Sequence, residues 1–150
     1  MTNATSKKVP ARRKVRELLS RSGLVTRWEA SLHLRAEGKS ADRERKAMLV
    51  LEIFGELTEP FGSVSAFKVS LFSEPDPTPG AAEIPSVGSV IAVKPALEFV
   101  LTMADRELGL LGAMASAGRL KHVHMCFQKP RYGSALVVSC AFQTAIPDDV

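Results

Sequence analysis

The sequence predicts an α+β domain: a ferredoxin-like antiparallel sheet with two helices on one face, an extra C-terminal strand, and a short basic helix ahead of it. Three observations carry that expectation. Several stretches alternate apolar and polar residues, two intervening stretches repeat apolar residues at three- and four-residue spacing, and the order after the first helix is β-α-β-β-α-β-β. The competing architecture is a cone-shaped α+β fold whose curved sheet wraps helices around a pocket. It needs residues 10–58 to be mostly helical, and alternation at Trp28–Arg35 speaks against it.

Taken in order, Pro10 suits a first helical turn, and the run to Arg21 sets Val15, Leu18 and Leu19 on one side before Gly23 stops it. Trp28, Ala30, Leu32 and Leu34 then alternate with Arg27, Glu29, Ser31, His33 and Arg35, the signature of a strand buried on one face. Ser40 is placed to cap a helix with Asp42 and Glu44 in its first turn. Ala47, Val50, Leu51, Phe54, Leu57 and Thr58 form its stripe, and Pro60 and Gly62 end it. A second strand covers Val64–Ser73. Four prolines and a glycine make Glu74–Pro85 a long connection.

Val90–Leu101 reads as one strand, with Ile91, Val93, Leu97, Phe99 and Leu101 on one side and Pro95 implying an edge or a bulge. Thr102 and Asp105 resemble a capping box for a helix striped by Ala104, Leu108, Leu111 and Ala115 and closed by Gly118; its Ala/Gly content predicts close packing. Leu120–Gln128 and Ser134–Thr144 read as a hairpin turning at Lys129–Gly133.

The composition is that of an ordinary globular chain: at 45% apolar and 24% charged residues it has enough nonpolar surface to offset ordering entropy, which excludes a disordered or fibrous class. A length of 150 residues gives one domain, 23–150, behind a basic arm, 1–22. No apolar run reaches the ~20 residues of a membrane span, and Met1–Lys8 lacks the apolar centre of a signal peptide, so the expected location is cytoplasmic. Two cysteines, Cys126 and Cys140, make no disulfide framework.

The net charge of +4 is uneven. Residues 1–40 carry ten Lys/Arg against three Glu, a balance of +7, whereas the remainder carries ten basic and thirteen acidic residues, a balance of −3. Lys7, Lys8, Arg12, Arg13, Lys14, Arg16 and Arg21 are therefore candidates for contacting nucleic-acid phosphates, without aromatic residues between them to stack on bases. A solubilising tail is the plainer alternative.

Catalytic and cofactor signatures are missing. There is no phosphate-binding glycine loop, no nucleophile elbow, no HExxH and no paired CxxC, so no cofactor is implied and the balance lies against an enzyme. His122-x-His124-x-Cys126 would place three potential metal ligands about 7 Å apart on one strand face; without ligands from a second element it remains an incomplete zinc or copper set.

Alternation assigns Trp28, Leu32, Phe67, Val69, Val93, Phe99, Val123, Met125, Phe127, Leu136, Val138 and Phe142 to the core. Glu29, His33, Arg35, Lys68, Lys94, Glu98, His122, His124 and Ser139 fall on the opposite face, beside Val90, Ala92, Val100 and Val137. A mixed face of this kind suits a homo-oligomer interface, a small ligand or protein partner, or His/Glu acid–base chemistry. The prevalence of symmetric dimers favours a non-enzymatic, dimeric binding module.

Overall fold

The computed structural model describes residues 16–37, 44–74 and 86–148. Their fold is a closed, mixed seven-stranded barrel with one helix, which overturns both the ferredoxin-like sheet and the helix-rich cone. The strands are β1 (Leu18–Glu37), β2 (Glu44–Phe61), β3 (Val64–Glu74), β4 (Gly88–Ala92), β5 (Leu97–Ala104), β6 (His122–Gln128) and β7 (Ala135–Gln143). The helix is α1 (Asp105–Ser116), between β5 and β6. Around the barrel the order is β1-β2-β3-β5-β4-β7-β6, closing back onto β1; only β3 and β5 run parallel. No helix among the described residues is long and apolar enough to cross a membrane.

The largest correction lies in residues 44–58, expected as a helix and found in β2. The stretch Met48–Phe54 is almost continuously apolar, so a helical stripe and a strand alternation can both be drawn through it. Leu49, Leu51, Ile53, Gly55 and Leu57 are the positions that face inward, and fourteen register pairs with β1 secure the strand. The basic helix is corrected likewise: Leu18–Arg21 is strand and pairs with β6. Its preceding residues, 10–15, lie outside the described residues, as do Ser40, Asp42 and the connection 75–85.

Pro95 separates two strands instead of bulging one. β4 and β5 pair antiparallel across it, with a register shift between Val90 and Ala92. That shift turns Val90 fully inward and leaves Ile91 54% exposed, the reverse of the expected assignment. A second shift, opposite Cys126/Phe127, does the same on β7: Ala135 and Val137 are buried while Leu136 and Val138 are only partly so. Bulges of this kind add one residue to one strand and flip the facing of all that follow.

The interior is built on Phe67, Phe99 and Phe127, with Phe99 and Phe127 edge to face at 5.4 Å. Gly23 and Gly55 are required there, because a Cβ on either would overlap the Phe67 ring, and on Gly55 also the Leu24 carbonyl. Leu108, Leu111 and Ala115 of α1 join this core as the helical stripe predicts, and α1 packs against β2, β3 and β5. The Thr102/Asp105 box does not form, since Ala104 is the N-cap and no side chain caps it. At the other end Gly118, at φ 68°, donates to the Ala115 carbonyl, and Arg119 donates to that of Met114, a Schellman closure. The Ala/Gly face of α1 does not pack closely: a Cβ on Gly109 or Gly112 would meet no atom within 4 Å.

Candidate functional site

Two regions depart from a plain barrel, a projecting arm and a polar cleft. The arm arises because β1 and β2 outrun their other neighbours. β6 pairs with β1 only up to Leu24, and β3 pairs with β2 only from Val50 onward, yet β1 and β2 stay paired from Gly23↔Leu57 to Glu37↔Glu44. Beyond the barrel they form a two-stranded ribbon. Trp28↔Ile53, Ala30↔Leu51, Leu32↔Leu49 and Leu34↔Ala47 share the face that is continuous with the interior. Ile53 and Leu51 are buried, whereas Trp28 is 38% exposed and Leu32 and Leu34 are each 62% exposed. Trp28 and Leu32, expected in the core, are therefore surface residues, because the strand that would cover them is missing among the described residues.

The opposite face of this ribbon is charged where it joins the barrel. Arg27, Phe54, Lys68 and Glu98 are register neighbours across β1, β2, β3 and β5. The Arg27 guanidinium stacks 3.8 Å above the Phe54 ring and bonds Glu29 at 2.5 Å, while Lys68 lies 3.8 Å from Glu52. Farther out, Ser31 Oγ and His33 Nε2 are hydrogen-bonded at 3.1 Å, and Arg35 continues the row. Of the predicted polar face, then, Glu29, His33, Arg35, Lys68 and Glu98 do share one side. His122, His124 and Ser139 belong to β6 and β7; β6 pairs with β1 only along Leu18–Leu24, short of Glu29–Arg35, so they lie apart from that row, and Lys94 sits exposed in the β4–β5 turn. A closed barrel has a convex outside, so outward-facing residues at different places around and along it do not form one surface.

The cleft lies where β1, β6 and β7 meet. Val123, Met125 and Phe127 fill the interior, which turns His122, His124 and Cys126 outward beside Leu24, Ser22 and Ser20 of β1 and Gln143, Ala141 and Ser139 of β7. The cleft measures about 470 Å³ and includes Ser20, Arg21, Ser22, Thr58, Glu59, both histidines and Gln143 in its lining. His124 Nδ1 is 2.8 Å from Ser22 Oγ, and His122 Nδ1 is 2.6 Å from Gln143 Oε1. His122 is only 1% exposed, and its Nε2 is buried without a partner. Arg21 lies over the Phe61 ring, donates from Nη1 to the Ser20 carbonyl at 2.8 Å, and buries Nε unpartnered. It is thus part of the barrel wall and not of a free phosphate-binding arm. Arg16 is half-buried, and Lys7, Lys8, Arg12, Arg13 and Lys14 lie outside the described residues.

The His122-x-His124-x-Cys126 row gains no ligand from a neighbouring strand: among the described residues no group of three His, Cys, Asp or Glu side chains converges. Nor does the Ser22–His124 pair become a catalytic triad, since no carboxylate among the described residues hydrogen-bonds His124. Ser20, Ser22, Thr58, Glu59 and Gln143 escaped the sequence reading. Their signal was masked because the inward positions that alternate with Ser20 and Ser22 are Leu19, Arg21 and Gly23, of which only one is apolar. Cys140 faces inward; burial pushes its thiol up from 9.0 to about 12 and keeps it protonated. No protein-family model, no curated protein and no solved structure matches this chain.

Proposed function

We propose that the protein is a non-enzymatic, self-associating binding module, and that copies meet through the apolar face of the β1–β2 arm. One observation carries this reading: Leu32 and Leu34, each 62% exposed, stand with Trp28 on one side of a ribbon that nothing among the described residues covers. A two-stranded ribbon is marginal by itself in water, and a contiguous exposed apolar face marks an association site. A second copy suits it better than a nucleic acid or an acidic protein. The face carries no charge from Trp28 to Leu34 or from Ala47 to Ile53, so apposing it to itself brings no like charges together, whereas the charged residues sit on the reverse side. A patch one ribbon wide belongs to the small class of interfaces, under about 1,200 Å² in total, and predicts a concentration-dependent equilibrium.

Light scattering coupled to size-exclusion chromatography, over a dilution series of the full chain, tests this. The expected result is a dimer that dissociates on dilution, with Leu32→Asp and Leu34→Asp remaining folded and monomeric throughout. A strict monomer at the highest concentration, or a dimer indifferent to both substitutions, rejects the arm as the contact.

A further inference from the structure

Over most of the arm, β1 is an edge strand. β6 stops pairing with it at Leu24, and past Val25, whose N–H donates to the Lys121 carbonyl, no strand among the described residues lies against β1 on the side away from β2. The stretch 26–37 holds neither proline nor glycine, and an edge strand of that length is a template for pairing with another chain. The arm's other edge is shorter: β3 pairs with β2 from Val50 onward, and Ser73 Oγ accepts from the Leu49 N–H. We infer that β1 pairs edge to edge and antiparallel with β1 of a second copy, centred on Leu32; this rests on the arm being the contact between copies and specifies its register.

Charge selects the register. Centred on Leu32, the pairing sets Glu29 of each copy opposite Arg35 of the other, as two-fold symmetry requires. Ser31 meets His33, Arg27 falls opposite the glutamate at position 37, and no like charges face each other. A centre at Ser31 would oppose Arg27 to Arg35, a centre at His33 would oppose Glu29 to the glutamate at 37, and in-register parallel pairing would set every charge against itself. A centre between residues would join the apolar side of one strand to the polar side of the other. Across β2 the same two positions meet like charges, Glu29 in register with Glu52 and Arg35 with Lys46. A second copy therefore offsets, on the outer side of β1, a repulsion present on its inner side. Glu29 bonds Arg27 and Arg35 has an interaction within its own chain, but a carboxylate has two oxygens and a guanidinium five donors, enough to serve both. The same register sets Trp28 beside Ala36, Ala30 beside Leu34 and Leu32 beside itself, so the apolar faces of two arms join and cross-strand contact takes part of them out of water.

Sedimentation velocity on charge variants of the full chain, each native-like by circular dichroism, tests this. Glu29→Arg and Arg35→Glu alone oppose like charges twice per dimer and should each raise the dimer dissociation constant about tenfold. An equimolar mixture of the two makes every such pair opposite in sign again and should recover wild-type affinity as a heterodimer. In a Cys126→Ser, Cys140→Ala background, Leu32→Cys should cross-link between copies on mild oxidation. Ala30→Cys should not, because its two copies then lie four residues apart, roughly 13 Å, beyond disulfide reach. Single variants that dimerise as wild type does, a mixture that recovers nothing, or cross-linking at 30 as ready as at 32 each overturns the register. If Leu32→Asp still abolishes the dimer in that case, the arm remains the contact and only the edge pairing falls; a wild-type chain that stays monomeric removes both.

Discussion

The β1–β2 ribbon is one continuous antiparallel pair with two fates. Ile53 and Leu51 of β2, in its barrel half, share a face of the β1–β2 pair with Leu34 and Leu32 of β1, in its arm half; the former are 0% and 2% exposed, the latter 62% each. Local pairing is common to both. What differs is the third layer: β3, β6 and α1 close over the barrel half, while the arm half extends past all of them. Strand pairing sets which residues share a face, and only packing from outside the pair decides whether that face is interior.

Substitutions at matched positions should separate the two halves. Phe67→Ala removes the ring seated on Gly23 and Gly55 and should lower unfolding free energy by about 3–5 kcal/mol in chemical denaturation. Gly55→Ala should cost about 1–3 kcal/mol or more by overpacking, because the Leu24 carbonyl is backbone and cannot step aside as a side chain can. A neutral result would mean that the barrel is not closed as tightly as the Phe67 contacts imply.

Between these and the arm lies a pH effect. The Cys140 thiol keeps its proton to about pH 12 in the folded chain but loses it near 9.0 when unfolded. Between those values the unfolded chain binds fewer protons, so stability should fall as pH rises, by up to about 1.4 kcal/mol per pH unit from this group. Below pH 9 the contribution is flat. The check is the difference in denaturation midpoints between wild type and Cys140→Ala from pH 8 to 10.5; parallel curves would place the thiol in water.

The smallest effect belongs to the arm. Leu34→Ala, measured in dilute solution where association is absent, should change unfolding free energy by no more than about 0.5 kcal/mol. A loss comparable to that of Phe67→Ala would show that the arm's apolar face is already covered within one chain, and would erase the contrast on which the contact assignment rests.

Much of the strand content was legible, and some of it in detail. The strands at Trp28–Arg35 and Val64–Ser73, the hairpin at Lys129–Gly133 and the buried stripe Leu108, Leu111 and Ala115 are local patterns, and the structure keeps all of them, although the face expected to be buried at Trp28–Arg35 is exposed. Tyr132 at φ 53° and Gly133 at φ 75° make that hairpin turn a tight two-residue one. Local pattern failed where two periods fitted equally, as at Met48–Phe54, and where a bulge inverted facing, as at Val90 and Val137. His122 and His124 alternate with the interior residues Val123 and Met125, but the cleft residues beside them on β1 come a hundred positions earlier, Ser20 to Ser22, whose alternation Arg21 and Gly23 conceal.

The sequence by itself determined which residues alternate, where the chain turns and which helical stripe is apolar, because these depend on neighbours a few positions apart. The tertiary structure alone decided that the sheet closes into a barrel, that its polar residues divide between the β1–β2 arm and the cleft of β1, β6 and β7, and that the apolar row from Trp28 to Leu34 meets no interior. Those outcomes depend on which strands reach which, and a strand's pattern is the same whether or not another element arrives to cover it.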